Sequence, residues 1–335
     1  MSHTRSMPPI FDLPTVIDDA ELVLVPVPFD ATASYQRGAM DGPETIRRES
    51  VQVDLYDPLL GAELRPVVTM RDESEDVRSW CADARRLVDG VRKHRGEPDK
   101  RDSVAQVNDL GSRVNRWAYE ACRTELDRGR AVSLIGGDHS TAFGCIQAHL
   151  ERYPRMGLLH IDAHADLRLA YEGFVWSHAS ILRNVLDKTQ LARLVQVGIR
   201  DYCLEERSVI EQSAGRVVTF FDGDLAHERL GGTSFATQVS DIVAALPDEV
   251  YISFDIDGLD PSLCPSTGTP VPGGLTFHQA TYLIEAVVKA KHRVVGFDLT
   301  EVAPGADGRW DGNVGARVLM KLCAAVLRAC EPFGR

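Results

Sequence analysis

Basic residues are in short supply in this sequence. Its 335 residues include 37 Lys and Arg against 49 Asp and Glu, a formal net charge of −12 at pH 7. That balance argues against nucleic acid as a partner, because phosphates demand a basic surface. It suits a small cationic ligand drawn in by the summed field, although an acidic surface kept for solubility has the same charge. No apolar run reaches the roughly 20 residues that cross a bilayer, so no membrane partner is expected. Met1 to Phe11 lacks the apolar stretch of a secretory signal. Paired cysteines are missing too. The seven (Cys81, Cys122, Cys145, Cys203, Cys264, Cys323 and Cys330) are odd in number, irregularly spaced and without a C-x-x-C pair. Reduced thiols in a cytoplasmic protein are the expectation, not a disulfide framework. With no internal repeat, low-complexity tract or linker, residues 1–335 read as a single domain, of which 1–20 form an irregular arm.

What is present is alternation. Glu21–Phe29 reads as a buried strand stopped by prolines, and Val67–Thr69 as a short strand. Asp30–Pro43 reads as a loop before a helix, with Pro43 suited to the first helical turn. Helical spacing runs over Asp72–Lys93 and Val104–Arg128, with a charged breaker at His94–Asp102 between them. Apolar strands then follow at Ala131–Ile135, Gly157–Ile161, Leu194–Ile199, Val217–Phe221, Val250–Phe254 and Val294–Leu299. Helices are predicted at Ser140–Tyr153, Ala179–Leu186, Thr233–Leu246, Phe277–Lys289 and Val314–Cys330. Strands alternating with amphipathic helices make an α/β chain, with a mostly parallel sheet covered by helices on both faces. Ligands of such sheets sit beyond the carboxyl ends of the strands.

Three acidic stretches occupy that edge: Gly136-Gly-Asp-His-Ser140, Asp162-Ala-His-Ala-Asp166 and Ser253-Phe-Asp-Ile-Asp-Gly-Leu-Asp-Pro261. In extended chain alternate residues point the same way. Asp162, His164 and Asp166 can therefore face one cavity, as can Asp255 and Asp257, and His139 adds an imidazole from a third strand end. Taken singly, an Asp such as Asp138, Asp201 or Asp260 is more often a cap or turn residue. A lone His such as His149, His160 or His292 is more often surface or satisfied core. Three polar groups on one side of a strand end are different, since burying them unpaired is costly. One ion needs at most six of these donors; two ions can share them if carboxylates bridge. Carboxylates with a few imidazoles suit Mn²⁺ or a similar divalent ion. Two such ions carry four positive charges, which the four aspartates cancel, and a metal pair can activate a shared water.

These three motifs resemble the signatures of the ureohydrolase superfamily, which contains arginases, agmatinases, guanidinobutyrases and formiminoglutamases. The similarity runs from about Val25, where the chain reads Val-Pro-Phe-Asp-Ala-Thr, to the C-terminal helix, and includes the loop Pro265–Pro270 with Gly273-Gly274-Leu275. It implies a three-layer arginase-like fold, a homotrimer or homohexamer, and two Mn²⁺, with Ni²⁺ or another divalent ion as the alternative. By the resemblance His139, Asp162, Asp166 and Asp255 ligate one ion, and His164, Asp162, Asp255 and Asp257 the other, with Asp162 and Asp255 bridging. His178 resembles a proton-shuttling histidine, here followed by Ala179 where many relatives have Gly. Glu301 resembles the glutamate that holds the guanidinium, Thr269 a residue that orients substrate and His178, and Asp166 is placed to relay a proton.

The chemistry of the residues agrees. A guanidinium stays protonated near neutral pH, a carboxylate can bind it by two hydrogen bonds, and a departing amine needs a proton from a group such as His178. The expected reaction is hydrolysis of a linear C–N bond in a guanidino compound, giving urea and an amine. Formimidoyl hydrolysis releasing formamide is the second reading, and a non-catalytic subunit of a larger assembly the third. Cys203 stands where arginases have an acidic residue that meets the α-amino group, and Leu167–Trp176 lacks their Ser/Asn-rich character. Arginine is therefore disfavoured. Tyr171, Phe174 and Trp176 offer aromatic faces to an agmatine-like substrate or a small guanidine, whereas Arg168 and Arg200 could bind a carboxylate.

Overall fold

The computed structural model describes residues 7–93 and 100–330. Among the described residues there are ten strands: β1 (Leu22–Val27), β2 (Tyr56–Asp57), β3 (Ala62–Glu63), β4 (Val68–Met70), β5 (Ala131–Gly136), β6 (Gly157–Ile161), β7 (Arg193–Ile199), β8 (Val217–Phe221), β9 (Glu249–Asp255) and β10 (Arg293–Thr300). Eight of them form one sheet in the order β4-β1-β5-β10-β9-β6-β7-β8. Every pairing in it is parallel, whereas the small β2–β3 hairpin is antiparallel. The mostly parallel sheet expected from the alternation is thus wholly parallel in its main body. Its strands are apolar runs because both faces are covered.

Successive strand residues go to opposite sides. Leu158, Leu194, Tyr251 and Val295 pack with the helices Glu75–Lys93, Arg101–Asp127, Phe143–Arg152 and Ile181–Lys188. Leu159, Val195, Ile252 and Phe297 pack with the helices Gly42–Glu49, Phe235–Ala244, Phe277–Lys289 and Trp310–Cys330. The result is three layers. The chain passes from β5 to β6 across two vacant positions, which β9 and β10 fill later. Four adjacent central strands, β5, β10, β9 and β6, therefore end side by side, and they carry the three acidic motifs and Glu301.

Several boundaries differ from the sequence reading. The N-terminal arm holds two single turns, Ile10–Asp12 and Ile17–Asp19, and buries Ile10 and Phe11; its residues 1–6 lie outside the described residues. So do 94–99 of the charged breaker, whose Arg101 and Asp102 already belong to a helix. Two helices escaped the pattern, Leu204–Gln212 and Asp222–Leu230. Each buries few side chains, so the 3.6-residue apolar stripe is faint. The six cysteines with described side chains are free thiols, five of them buried. Among the described residues no helix is long and apolar enough to cross a membrane.

One glycine sets the spacing at the site's edge. Gly137 N–H donates to Val27 O at 2.8 Å, and Asp138 N–H to Phe29 O at 2.8 Å. A Cβ on Gly137 would lie 2.0 Å from the Phe29 carbonyl oxygen, a backbone atom that cannot swing aside. Gly137→Ala should lower unfolding stability by about 1–3 kcal/mol or more through forced backbone shifts. Urea titration checks this; an unchanged midpoint would show that the two segments separate freely.

Candidate metal centre

His139 is presented by a single turn, His139–Thr141, capped by Asp138, whose carboxylate accepts the Ser140 N–H at 3.1 Å. Asp138 is thus a cap, the commoner role for a lone Asp after a strand. The His139 ring is fully buried. Its Nδ1 lies 3.1 Å from Asp162 Oδ2, 3.1 Å from Asp166 Oδ2 and 3.4 Å from Asp255 Oδ2. One imidazole nitrogen therefore faces three carboxylates from two other strand ends.

A second group adjoins it. His164 Nδ1 lies 3.4 Å from Asp162 Oδ1 and 3.1 Å from Asp257 Oδ2. Asp257 is held by the Ala163 N–H on Oδ1 at 3.0 Å. Asp255 Oδ1 accepts the Asp257 N–H at 2.9 Å. Two sets of donors, each compact enough for one ion, share Asp162: His139, His160, Asp162 and Asp166 in one, Asp162, His164 and Asp257 in the other. All six ligands expected from the motifs are brought together.

Their electrostatics fit a pair of cations. Burial, and then the charge of Asp162, pushes Asp166 up to about 6. Burial, and then Asp257, Asp162 and Glu301, holds Asp255 well above the usual carboxylate range. Glu301 is raised likewise by burial, Asp138 and Asp257. Burial would raise Asp162 too, but the imidazoles of His160, His139 and His164 outweigh it and hold that carboxyl low. For His139 and His164 burial disfavours the cation, yet the surrounding carboxylates win and raise both well above the ordinary range. Buried charge of one sign costs several kcal/mol per ion unless compensated. Hard oxygen donors with two imidazoles on one cavity suit divalent ions of the Mn²⁺ class.

Glu301 joins the centre from β10. Its Oε1 accepts the His139 N–H at 3.0 Å, and Thr267 Oγ1 donates to its carbonyl at 2.9 Å. Asp166 (φ 56°) and Glu301 (φ 61°) both stand in the left-handed region. That conformation costs a non-glycine residue roughly 1–2 kcal/mol, so surrounding contacts must enforce it.

The remaining expected residues divide. Thr269 Oγ1 lies 3.4 Å from Asp257 Oδ2. His178 is held not by Thr269 but by Thr32 Oγ1, 3.4 Å from Nδ1, and Ser34 Oγ, 3.4 Å from Nε2. Burial, then His164 and Arg92, drives its pKa down to about 3, so the resting imidazole is neutral. Tyr171 stands beside it, ring centroids 6.0 Å apart. Trp176 and Phe174 do not come to the site. Trp176 packs edge-on to Phe143 at 5.0 Å and closely against Gly111. Phe174 is buried among Val88, Val91 and Val107. Aromatic loop residues find apolar helix surface more readily than a polar cavity mouth. Thr32, Ser34, Ser253 and Asp298 were not singled out by sequence; for Thr32 the signal lay in the Asp-Ala-Thr run after β1. His160, set aside as satisfied core, touches Asp162 directly, its Nε2 2.8 Å from Oδ2.

Arg200 is committed elsewhere. Its guanidinium donates to the carbonyls of Gly198 (3.0 Å), Asp257 (2.6 Å), Leu259 (3.2 Å) and Val271 (3.0 Å), clamping the loop that carries Asp257. Arg168 lies 5.6 Å over the Tyr171 ring and 3.7 Å from Glu206. Glu206 in turn accepts the N–H groups of Leu167 (3.0 Å) and Cys203 (2.9 Å), so Cys203 opens a helix.

The geometry predicts proton-linked metal binding. The carboxylates around His139 and His164 favour their protonated forms when no cation is bound, and a metal ion must displace the protons held there. Loading the metal-free protein with Mn²⁺ at pH 7 should release about one proton per imidazole, and affinity should rise with pH. Calorimetry in two buffers of different ionisation enthalpy measures this; a binding heat independent of buffer would contradict it.

The Arginase family model matches residues 20–326. An N(1)-aminopropylagmatine ureohydrolase of Thermus thermophilus is 35% identical over 290 residues, 87% of this chain and 85% of that protein. An agmatinase of Bacillus anthracis is 28% identical over 291 residues, covering 87% and 86%. The crystal structure of an agmatine ureohydrolase of Thermoplasma volcanium superposes with a TM-score of 0.72 at 25% identity, covering 96% of this chain and 95% of that one.

Proposed function

The chain belongs to the arginase family, and from that membership we propose that it hydrolyses a guanidino compound carrying no carboxylate, of the agmatine type. It is a binuclear-metal hydrolase that cleaves the guanidino C–N bond, adding water and releasing urea and an amine. The observation that carries the reading is the pair of donor groups sharing Asp162, with Glu301 tied to His139 beside them.

Bound there, two divalent ions supply Lewis acidity and lower the pKa of water. The protein's own groups do the rest. Glu301 orients the guanidinium; its Oε1 takes one backbone N–H and still has a lone pair for the ligand. Asp166, whose carboxylate lies beside His139, is placed to accept the proton lost by the attacking water. His178, between Thr32, Ser34 and Tyr171 and neutral at rest, then takes up the proton that the water gave up and passes it to the departing amine. Manganese is the ion proposed, supported by the donor set, and a cytoplasmic homotrimer or homohexamer the assembly, supported by the family resemblance.

The absence of a carboxylate from the substrate is supported by the two arginines. Arg200 spends its donors on backbone carbonyls, and Arg168 is engaged by Tyr171 and Glu206. Arginine, 4-guanidinobutyrate and formiminoglutamate would each bring a carboxylate, and Arg200 and Arg168 are both already engaged. Aminopropyl-extended agmatine, the substrate class named for the Thermus relative, meets no such objection.

The test is a panel assay with metal-reconstituted protein, reading urea and formamide separately. Agmatine and N1-aminopropylagmatine should exceed arginine and 4-guanidinobutyrate in kcat/KM by at least about tenfold, a difference of about 1.4 kcal/mol. Equal or better turnover of a carboxylate-bearing compound would refute the substrate reading. Formamide without urea would establish the formimidoyl alternative, and no turnover with metals bound a non-catalytic role. Separately, Asp257→Asn should weaken binding at the second donor group and lower kcat by about a hundredfold or more, with the fold retained by circular dichroism. Unchanged kcat would contradict the two-ion centre.

A further inference from the structure

One layer beneath the metal-facing residues, a row of polar side chains crosses the sheet in register. Asp298 on β10 pairs with Ser253 on β9, Ser253 with His160 on β6, His160 with Gln196 on β7, and Gln196 with Thr219 on β8. The first four are fully buried, in strands otherwise filled by Val, Leu, Ile and Phe. Five polar residues in one row of a buried parallel sheet are costly unless each is hydrogen-bonded. Each residue makes at least one such bond, Asp298 through Oδ1 while its Oδ2 has no partner, and the bonds have a direction.

The direction can be read from groups that can only donate or only accept. Ala165 O accepts from Gln196 Nε2 at 2.9 Å, and Thr219 Oγ1 donates to Gln196 Oε1 at 3.0 Å, so the amide cannot be turned over. The same Gln196 Nε2 lies 3.1 Å from His160 Nδ1. Nδ1 must therefore be the acceptor, and the proton sits on Nε2, which donates to Asp162 Oδ2 at 2.8 Å. On the other side Ser253 Oγ donates to the Asp298 carboxylate at 2.9 Å. Its oxygen then accepts from His139 Nε2 at 2.8 Å. The Nδ1 of His139 turns toward Asp162, Asp166 and Asp255. Behind one ring stands a carboxylate-backed hydroxyl; behind the other stands an amide N–H.

We infer that this cross-strand row assigns opposite roles to two neighbouring histidines, making His139 a metal ligand through Nδ1 and His160 an N–H donor that orients the shared carboxylate of Asp162. Gln196, Ser253 and Asp298 are positioning residues: they touch no substrate and act by fixing the two rings. His160 is thereby excluded as a ligand, although its distance to the cluster would allow it. The inference rests on the metal-binding reading above.

The test measures Mn²⁺ binding to the metal-free protein by calorimetry, with thermal unfolding of each metal-free variant as the control for folding. Ser253→Ala and Gln196→Met should each weaken binding by about 10–100-fold, the usual effect of losing a group that orients a ligand. At His160 the pair of variants separates the roles. His160→Gln keeps an N–H near the Nε2 position and should bind within about threefold of the parent, whereas His160→Leu should lose as much as Gln196→Met. X-ray absorption should count the same number of imidazoles per metal in the parent and in His160→Gln. Loss of one imidazole, or equal damage from Gln and Leu, would overturn the inference and make His160 a ligand. Parent-like binding by Gln196→Met and Ser253→Ala would also overturn it, and so would weakened binding only in variants whose metal-free form has itself become unstable. A parent protein that binds no metal would instead remove the reading on which the inference rests.

Discussion

The carboxylates of Asp162, Asp166, Asp255 and Asp257 are buried within a few ångströms of two imidazoles, and their mutual repulsion governs the centre. Two imidazolium charges cannot balance four aspartates and the neighbouring Glu301. The carboxyls of Asp166, Asp255 and Glu301 are accordingly forced upward, while His139 and His164 hold protons more tightly than free histidines. Cations placed between these groups relieve both strains together. That is a physical reason for so much acid to persist in the driest part of the molecule.

Holding like charges together requires a rigid frame. Four adjacent parallel strands provide it, because β9 and β10 insert between β5 and β6 and bring distant chain segments to one edge. The left-handed backbones of Asp166 and Glu301 are sustained by this frame. Backbone hydrogen bonds from Gly137 N–H to Val27 O, from Asp138 N–H to Phe29 O and from Glu301 N–H to Gly137 O lock the strand ends in place. The Arg200 clamp then fixes the Asp257 loop from beneath. An arginine able to read a carboxylate is thus used for architecture.

Much of this was legible in the chain. Strands that are buried on both faces are continuous apolar runs, and the six main strands after Ala131 fall within two residues of their observed ends. The metal-facing donors were legible because period-two spacing forces Asp162, His164 and Asp166 to one side. The helices Leu204–Gln212 and Asp222–Leu230 were not, since each buries too little to leave a stripe. Trp176 and Phe174 were misjudged as cavity residues because an aromatic in a loop looks alike whether it packs on a helix or faces a ligand. The partners of His178 lie about 145 residues away in the loop after β1. No local pattern announces such a meeting.

By itself the sequence determined the chemistry available: hard donors at strand ends, their spacing, and a charge suited to cations. These follow from residue type and the two-residue period of extended chain, which need no knowledge of the third dimension. Tertiary structure alone decided which nitrogen of each histidine carries its proton. His139 follows Gly-Gly-Asp and His160 follows Gly-Leu-Leu, and neither local sequence says which ring nitrogen carries the proton. What distinguishes them is the side chain set behind each ring by strand register, a serine backed by Asp298 in one case and the Gln196 amide in the other. Register between strands is a relation among distant segments, and it exists only once the sheet has formed.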